Sequence, residues 1–230
     1  MGGISGVTAR LYGPEMFFDR RCPLCGVAAR GVCLPCVHQL HRAPEATVAG
    51  VDRVIALFAY DQRSGRLVLA GKNGGRRDLL RWGAMHLADA VRRQGASTTI
   101  DVVTWVPAHP LQRRVRGFDQ GEILARTVAR SLRLPCRATL RRRPGVSQKG
   151  RTRSQRLEGP RLDPKRRVAG TVLLVDDVVT TGASLERSAV ELRRAGADHV
   201  VAAVMAASVG NRLRPEPAEV ASGAKSDGVL

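Results

Sequence analysis

The sequence predicts an α/β fold: an open parallel sheet flanked by helices, with a small amino-terminal four-cysteine module and a basic flap. Three observations carry this. Val172 to Val175 is an unbroken apolar run without polar alternation, as suits a parallel strand covered on both faces. An amphipathic helical pattern follows it, and the same strand-then-helix order occurs around Val102 to Leu132. Four cysteines cluster before the first strand.

Cys22, Cys25, Cys33 and Cys36 form a C-x2-C-x7-C-x2-C array over an expected module at 20–42. Two such knuckles close tetrahedrally on zinc with four thiolates and no open position, a structural rather than catalytic site. Paired disulfides are the alternative, disfavoured because the chain is otherwise cysteine-poor and residues 1–19 do not read as a secretory leader. The expectation is therefore a cytoplasmic protein. No apolar run is long enough to span a bilayer. His38 and His41 lie just beyond the array and are expected to be solvated.

The main domain is expected over 50–208. Val54 to Tyr60 reads as a strand, and Leu67 to Leu69 and Leu79 to Val91 as helical. Between them Lys72 to Arg77, spelled KNGGRR, reads as a basic glycine-rich linker that could face a ligand. Val102 to Val106 reads as a buried strand ending at Pro107. A dense cationic loop with His109, Arg113, Arg114, Arg116 and Gly117 comes next. Guanidinium forks match phosphate oxygens, so a loop here could hold a leaving pyrophosphate; a solvated arginine loop is the alternative. Asp119 then caps a helix, with Glu122 at the capping-box position and Ile123, Leu124, Val128 and Leu132 as the apolar stripe. Cys136 reads as buried filler.

Residues 137–167 hold twelve Lys and Arg against two acids. This segment is expected to be a flap over the sheet, or a surface for nucleic acid through counterion release. Few aromatics accompany the charge, so a nucleic-acid reading rests on charge alone. The whole chain has 38 Lys and Arg against 20 Asp and Glu, a formal charge of +18.

The richest segment is VLLVDDVVTTGAS, Val172 to Ser184. The strand runs into Asp176 and Asp177, then into the turn Thr180-Thr181-Gly182, then into a helix bearing Leu185, Ala189 and Leu192 and stopping near Gly196. Crevices outside strand carboxyl ends are the usual ligand sites of open α/β sheets. Free amides at the helix start suit a phosphate dianion. Paired carboxylates suit vicinal hydroxyls or a magnesium ion. Val200 to Ala206 reads as a late buried strand, and 209–230 as a disordered tail.

The segment from Val172 to Ser184 resembles the phosphoribosyl pyrophosphate (PRPP) motif of type I phosphoribosyltransferases. That resemblance implies a type I phosphoribosyltransferase-like sheet. Asp176 and Asp177 would hold the ribose and magnesium, and Val179, Thr180, Thr181, Gly182, Ala183 and Ser184 the 5-phosphate. VPAHPLQRRVRGFDQGEILA, residues 106–125, resembles the signature of the ComF (ComF/GntX-like) family, which usually carries Asn where this chain has Asp119. QKGRTRSQR resembles the family's flap segment through Gln148, Gly150, Thr152 and Arg156. Many ComF-like proteins also carry a four-cysteine knuckle. By resemblance, leaving pyrophosphate would meet candidates Lys72, His109, Arg113, Arg114, Arg116 and Gly117, with Gln148 and Arg156 on the flap.

The implied activity is transfer of a phosphoribosyl group from PRPP to a nitrogenous acceptor, with magnesium as cofactor and zinc as a structural ion. The alternative implied by the family is a non-catalytic factor of DNA uptake and competence. That factor would bind single-stranded DNA or a DNA-processing protein through its basic surface.

Overall fold

A computed structural model describes residues 21–73, 75–143 and 160–208. The flap candidates Gln148 and Arg156 and the tail 209–230 lie outside the described residues. The elements run in chain order as α1 (Leu34–His38), β1 (Arg53–Ala59), α2 (Gln62–Asn73), α3 (Arg77–Arg93), β2 (Ile100–Trp105), α4 (Pro110–Arg116) and α5 (Gln120–Leu132). They continue with β3 (Leu140–Arg142), β4 (Leu162–Pro164), β5 (Thr171–Val179), α6 (Ala183–Arg194) and β6 (His199–Ala207).

Four strands form a parallel sheet in the order β1-β6-β5-β2. Its central strands β5 and β6 are the most apolar, because each is covered above and below. One face packs α2, α3 and α5 against Leu173, Val175, Val201 and Met205. The other packs α6 and the β3–β4 hairpin against Val172, Leu174, Val200 and Val204. The helices come close: a Cβ on Gly83 of α3 would stand 2.5 Å from Met205 Cε. Past α5, residues 135–137 run along the open edge of β2 through Val103, and Thr104 and Thr139 share a buried hydroxyl bond of 2.7 Å.

The parallel sheet flanked by helices and the amino-terminal cysteine cluster agree with the sequence reading. Three local expectations are corrected. Lys72 and Asn73 close the last turn of α2 and are not linker residues. The cationic stretch after β2 is the helix α4, begun by Pro110 at a favourable first-turn position and ended by Gly117 at φ 74°. Glu122 does not reach back to the cap; it pairs with Arg126 at 2.9 Å, one turn along α5.

The cysteine module is not held apart from the sheet. Cys22, Val32, Cys36 and Leu40 share one apolar cluster with Leu79, Leu80 and Trp82. Gly31 lies flat on the Trp82 indole, where a Cβ would approach to 2.5 Å. No helix among the described residues is long and apolar enough to cross a membrane.

Candidate functional site

The two aspartates lie within β5, which continues to Val179 before the chain turns. Successive strand side chains point to opposite faces. Leu173 and Val175 belong to the cluster under α3 and α5, and the next odd position, Asp177, follows them. Val172 and Leu174 belong to the α6 side, and Asp176 follows those. The acids therefore leave the strand on opposite faces of one strand end.

Asp177 is buried, and the end of α2 brings Lys72 Nζ to 2.8 Å from its Oδ2. The ammonium stands off the line of a hydrogen bond, so Oδ2 accepts no aligned bond from any described group. Asp176 is half-buried and turns Oδ1 back to accept the Asp177 amide at 2.8 Å. Burial, and then the Asp177 charge, push the Asp176 carboxyl well above the usual range; Lys72 offsets part of this.

Beyond Val179, whose carbonyl accepts from Ser208 N at 3.0 Å, Thr180 and Thr181 stand exposed. Gly182 takes φ 76° and forms the N-cap of α6 without any side-chain cap. Only a residue without Cβ adopts that backbone freely. The first amides of this twelve-residue helix, with the Ser184 hydroxyl beside them, are left to an external acceptor. Val179, Thr180, Thr181, Gly182, Ala183 and Ser184 thus lie together next to Asp176 and Asp177.

The other half of the predicted site is split by α4. Pro110, Arg113, Arg114 and Gly117, at helical spacing, face a cavity of about 670 Å³ that also reaches Trp105, α5 and the β3–β4 hairpin. Leu111, Gln112, Val115 and Arg116 face a second cavity of about 460 Å³, shared with Lys72, Asn73 and Phe118. Neither lining includes Asp176, Asp177 or the turn before α6. Lys72 joins the second cavity to the aspartates. Of the cationic candidates, the structure therefore brings Lys72 and Arg116 together and turns Arg113 and Arg114 away from them.

His109 is a cap: its Nδ1 accepts from Leu111 N at 3.3 Å. Burial, and then Arg142, lower its pKa, which favours the neutral, accepting ring. Asp119 is a cap and a brace. Its Oδ1 accepts from Gly121 N at 3.0 Å and Glu122 N at 3.3 Å, and its Oδ2 accepts from Ala108 N at 3.0 Å. It thereby ties the start of α5 to the segment leaving β2. Arg77 lies over the Phe118 ring at 4.8 Å, joining α3 to the same turn.

The four cysteine sulfurs lie within 4.8 Å of one another and none is disulfide-bonded. A zinc–sulfur distance of about 2.3 Å in a tetrahedron sets sulfur–sulfur edges near ~3.8 Å, so the cluster fits that ion. Burial and the neighbouring thiols push Cys36 up to about 12, and a cation is what would allow four thiolates here. His38 is exposed, as expected. His41 is exposed but not merely solvated, since its Nδ1 lies 2.9 Å from Asp61 Oδ2. Cys136 lies past α5, half-buried, its thiol pKa raised by burial.

Arg126, Arg141, Arg142 and Lys165 were not legible as site residues. Only the fold gathers them around the larger cavity, and the signal available in the sequence was the spacing of 110, 113, 114 and 117.

No family model and no curated protein matches the chain. Among solved structures it is similar to an allosteric regulatory enzyme of purine biosynthesis, with 23% identity over 54% of this chain and 25% of that chain, at a TM-score of 0.38. It is similar to glutamine phosphoribosylpyrophosphate amidotransferase from B. subtilis, complexed with ADP and GMP, with 21% identity over 59% and 30% of the chains and a TM-score of 0.40. It is also similar to purine phosphoribosyltransferase from Pyrococcus horikoshii, with 20% identity over 59% and 78% of the chains and a TM-score of 0.40. The chain spans less than a third of the first two. At these identities and TM-scores none of them carries this chain's function.

Proposed function

We propose that the chain binds PRPP with magnesium at the end of β5 and belongs functionally with type I phosphoribosyltransferase-like proteins of the ComF kind. The supporting observation is the continuity of paired acids, Thr-Thr-Gly turn and uncapped α6 on one strand end. In this reading the amides of Gly182 to Ser184 and the hydroxyls of Thr180, Thr181 and Ser184 hold the 5-phosphate. Asp176 and Asp177 accept from the ribose hydroxyls. Lys72, released from Asp177, and Arg116 across the smaller cavity take the pyrophosphate.

The donor set fits magnesium. Asp177 Oδ2 is a buried carboxylate oxygen without an aligned hydrogen bond, and hard cations prefer such oxygens. Asp176 and Asp177 would hold the ion, which when bound neutralises charge on the pyrophosphate. The chain's own residues orient C1 and stabilise the leaving group. The C1–O bond breaks with its electron pair on pyrophosphate, the acceptor nitrogen bonds to C1, and its surplus proton leaves to solvent. No side chain here is needed as a general base.

Calorimetric titration with PRPP and magnesium tests this, run beside an Asp176→Asn/Asp177→Asn variant. Binding lost in the variant supports the assignment, and equal binding by both overturns it. The excess of positive charge favours a second reading, recruitment of single-stranded DNA or a DNA-processing protein. Salt-dependent DNA binding that survives the double variant would select that reading.

A further inference from the structure

The larger cavity beside α4 is lined by six cations: Arg113 and Arg114 of α4, Arg126 of α5, Arg141 and Arg142 of β3, and Lys165 just after β4. Two carboxylates share the lining, and both are engaged. Asp119 accepts three backbone amides, and Glu122 pairs with Arg126. Arg141 is held by Asp163 at 3.3 Å. Arg113, Arg114 and Lys165 meet no carboxylate among the described residues. Like charges gathered around a concave surface repel one another and raise the local potential. Of these cations Arg142 acts on His109, whose pKa is lowered by burial and then by that charge.

This arrangement differs from a solvated basic face. The cations come from four elements and converge on one half-open concave volume of about 670 Å³. That volume lies within the ~300–1,000 Å³ usual for small-molecule sites. Guanidinium forks on several sides suit an anion with many oxygens along a short chain, not a single carboxylate.

We propose that this cavity binds an oligophosphate, either a free chain or the triphosphate of a nucleotide. The site is independent of the sugar-phosphate crevice, since the two share no residue and α4 divides this cavity from the one that Lys72 lines. Arg113, Arg114 and Lys165 supply the unpaired charge.

The test is calorimetric titration of the full chain with inorganic tripolyphosphate, without magnesium. Wild type and Asp176→Asn/Asp177→Asn should bind equally, with affinity falling as salt rises. Arg113→Ala/Lys165→Ala should lose at least about ten-fold, as expected for two charge-assisted contacts. Both positions are exposed, and a thermal melt checks folding; Arg114→Ala serves as the second variant, with a smaller loss. A nucleoside triphosphate binding more tightly than tripolyphosphate would identify the nucleotide as the source, and equal binding would identify the free chain. The proposal is overturned if wild type binds neither, if both arginine variants bind like wild type, or if the aspartate variant loses binding. It is also overturned if oligothymidylate displaces both ligands with affinity rising with length, which would make the surface a nucleic-acid track.

Discussion

Lys72 Nζ, at the end of α2, lies 2.8 Å from Asp177 Oδ2 in β5, with the lysine side chain 22% exposed and the aspartate side chain 6%. The pair ties a helix end to the central sheet and occupies the oxygen that a ligand would need. Lys72→Met should leave a buried carboxylate unpaired and cost about 2 kcal/mol, below the full buried-pair figure because Lys72 still reaches water. Adding Asp177→Asn should recover most of the loss. Urea denaturation of the two singles and the double checks this. Additive effects in the cycle would mean that the contact has no energetic weight.

The Asp176 carboxyl has a folded pKa above its unfolded value of about 3.9. The folded state then holds the proton more tightly. This group's contribution is therefore most favourable below the unfolded value and is lost as pH rises towards the folded one. Asp176→Asn removes the penalty. Its stability gain over wild type should be small near about pH 4 and larger near about pH 8. Denaturation curves of both proteins across that range decide it; a gain that shrinks with pH would contradict the assigned environment.

Asp119→Ala removes the acceptor for three amides at once. The expected cost is about 2 kcal/mol, from a lost helix cap and a stranded Ala108 N–H. Asp119→Asn should fall between, because its amide group cannot accept from Ala108. Chemical denaturation ranks the three, and an alanine variant as stable as wild type would remove the brace from the account.

Metal analysis should find about one zinc per chain, and Cys22→Ser should lose it. Because Cys22 and Cys36 share a core with Leu79, Leu80 and Trp82, chelation should lower the melting temperature of the sheet domain too. Trp82 fluorescence should change with it, since Gly31 rests on that ring. A silent Trp82 on complete chelation would separate the module from the core.

The four strands of the parallel sheet were legible because burial on both faces leaves unbroken apolar runs, and Asp119 was legible because a cap is a local signal; the β3–β4 hairpin, with its LRR and LDP strands, carries no such run. The helix α4 was not. It has no buried residue, and Val115 is 88% exposed, so no apolar stripe marks its period. The Lys72–Asp177 pair is a tertiary contact between segments with no local pattern in common. Lys72 also read as linker because the glycines after it carry the stronger signal. The cysteine array gave its spacing to the sequence reading, but the seat of Gly31 on Trp82 depends on where α3 lies in the fold.

Among the described residues, the order β1-β6-β5-β2 leaves β1 with β6 as its one strand partner in the sheet. Val200 N even donates to Asp52 Oδ2, 148 positions away. On the ribosome, β1 must wait until β6 has emerged before its edge can be satisfied. Such non-local pairing makes for slow folding and a long interval of exposed apolar edge. Shortening the chain before β6 should therefore yield insoluble material rather than a smaller folded domain.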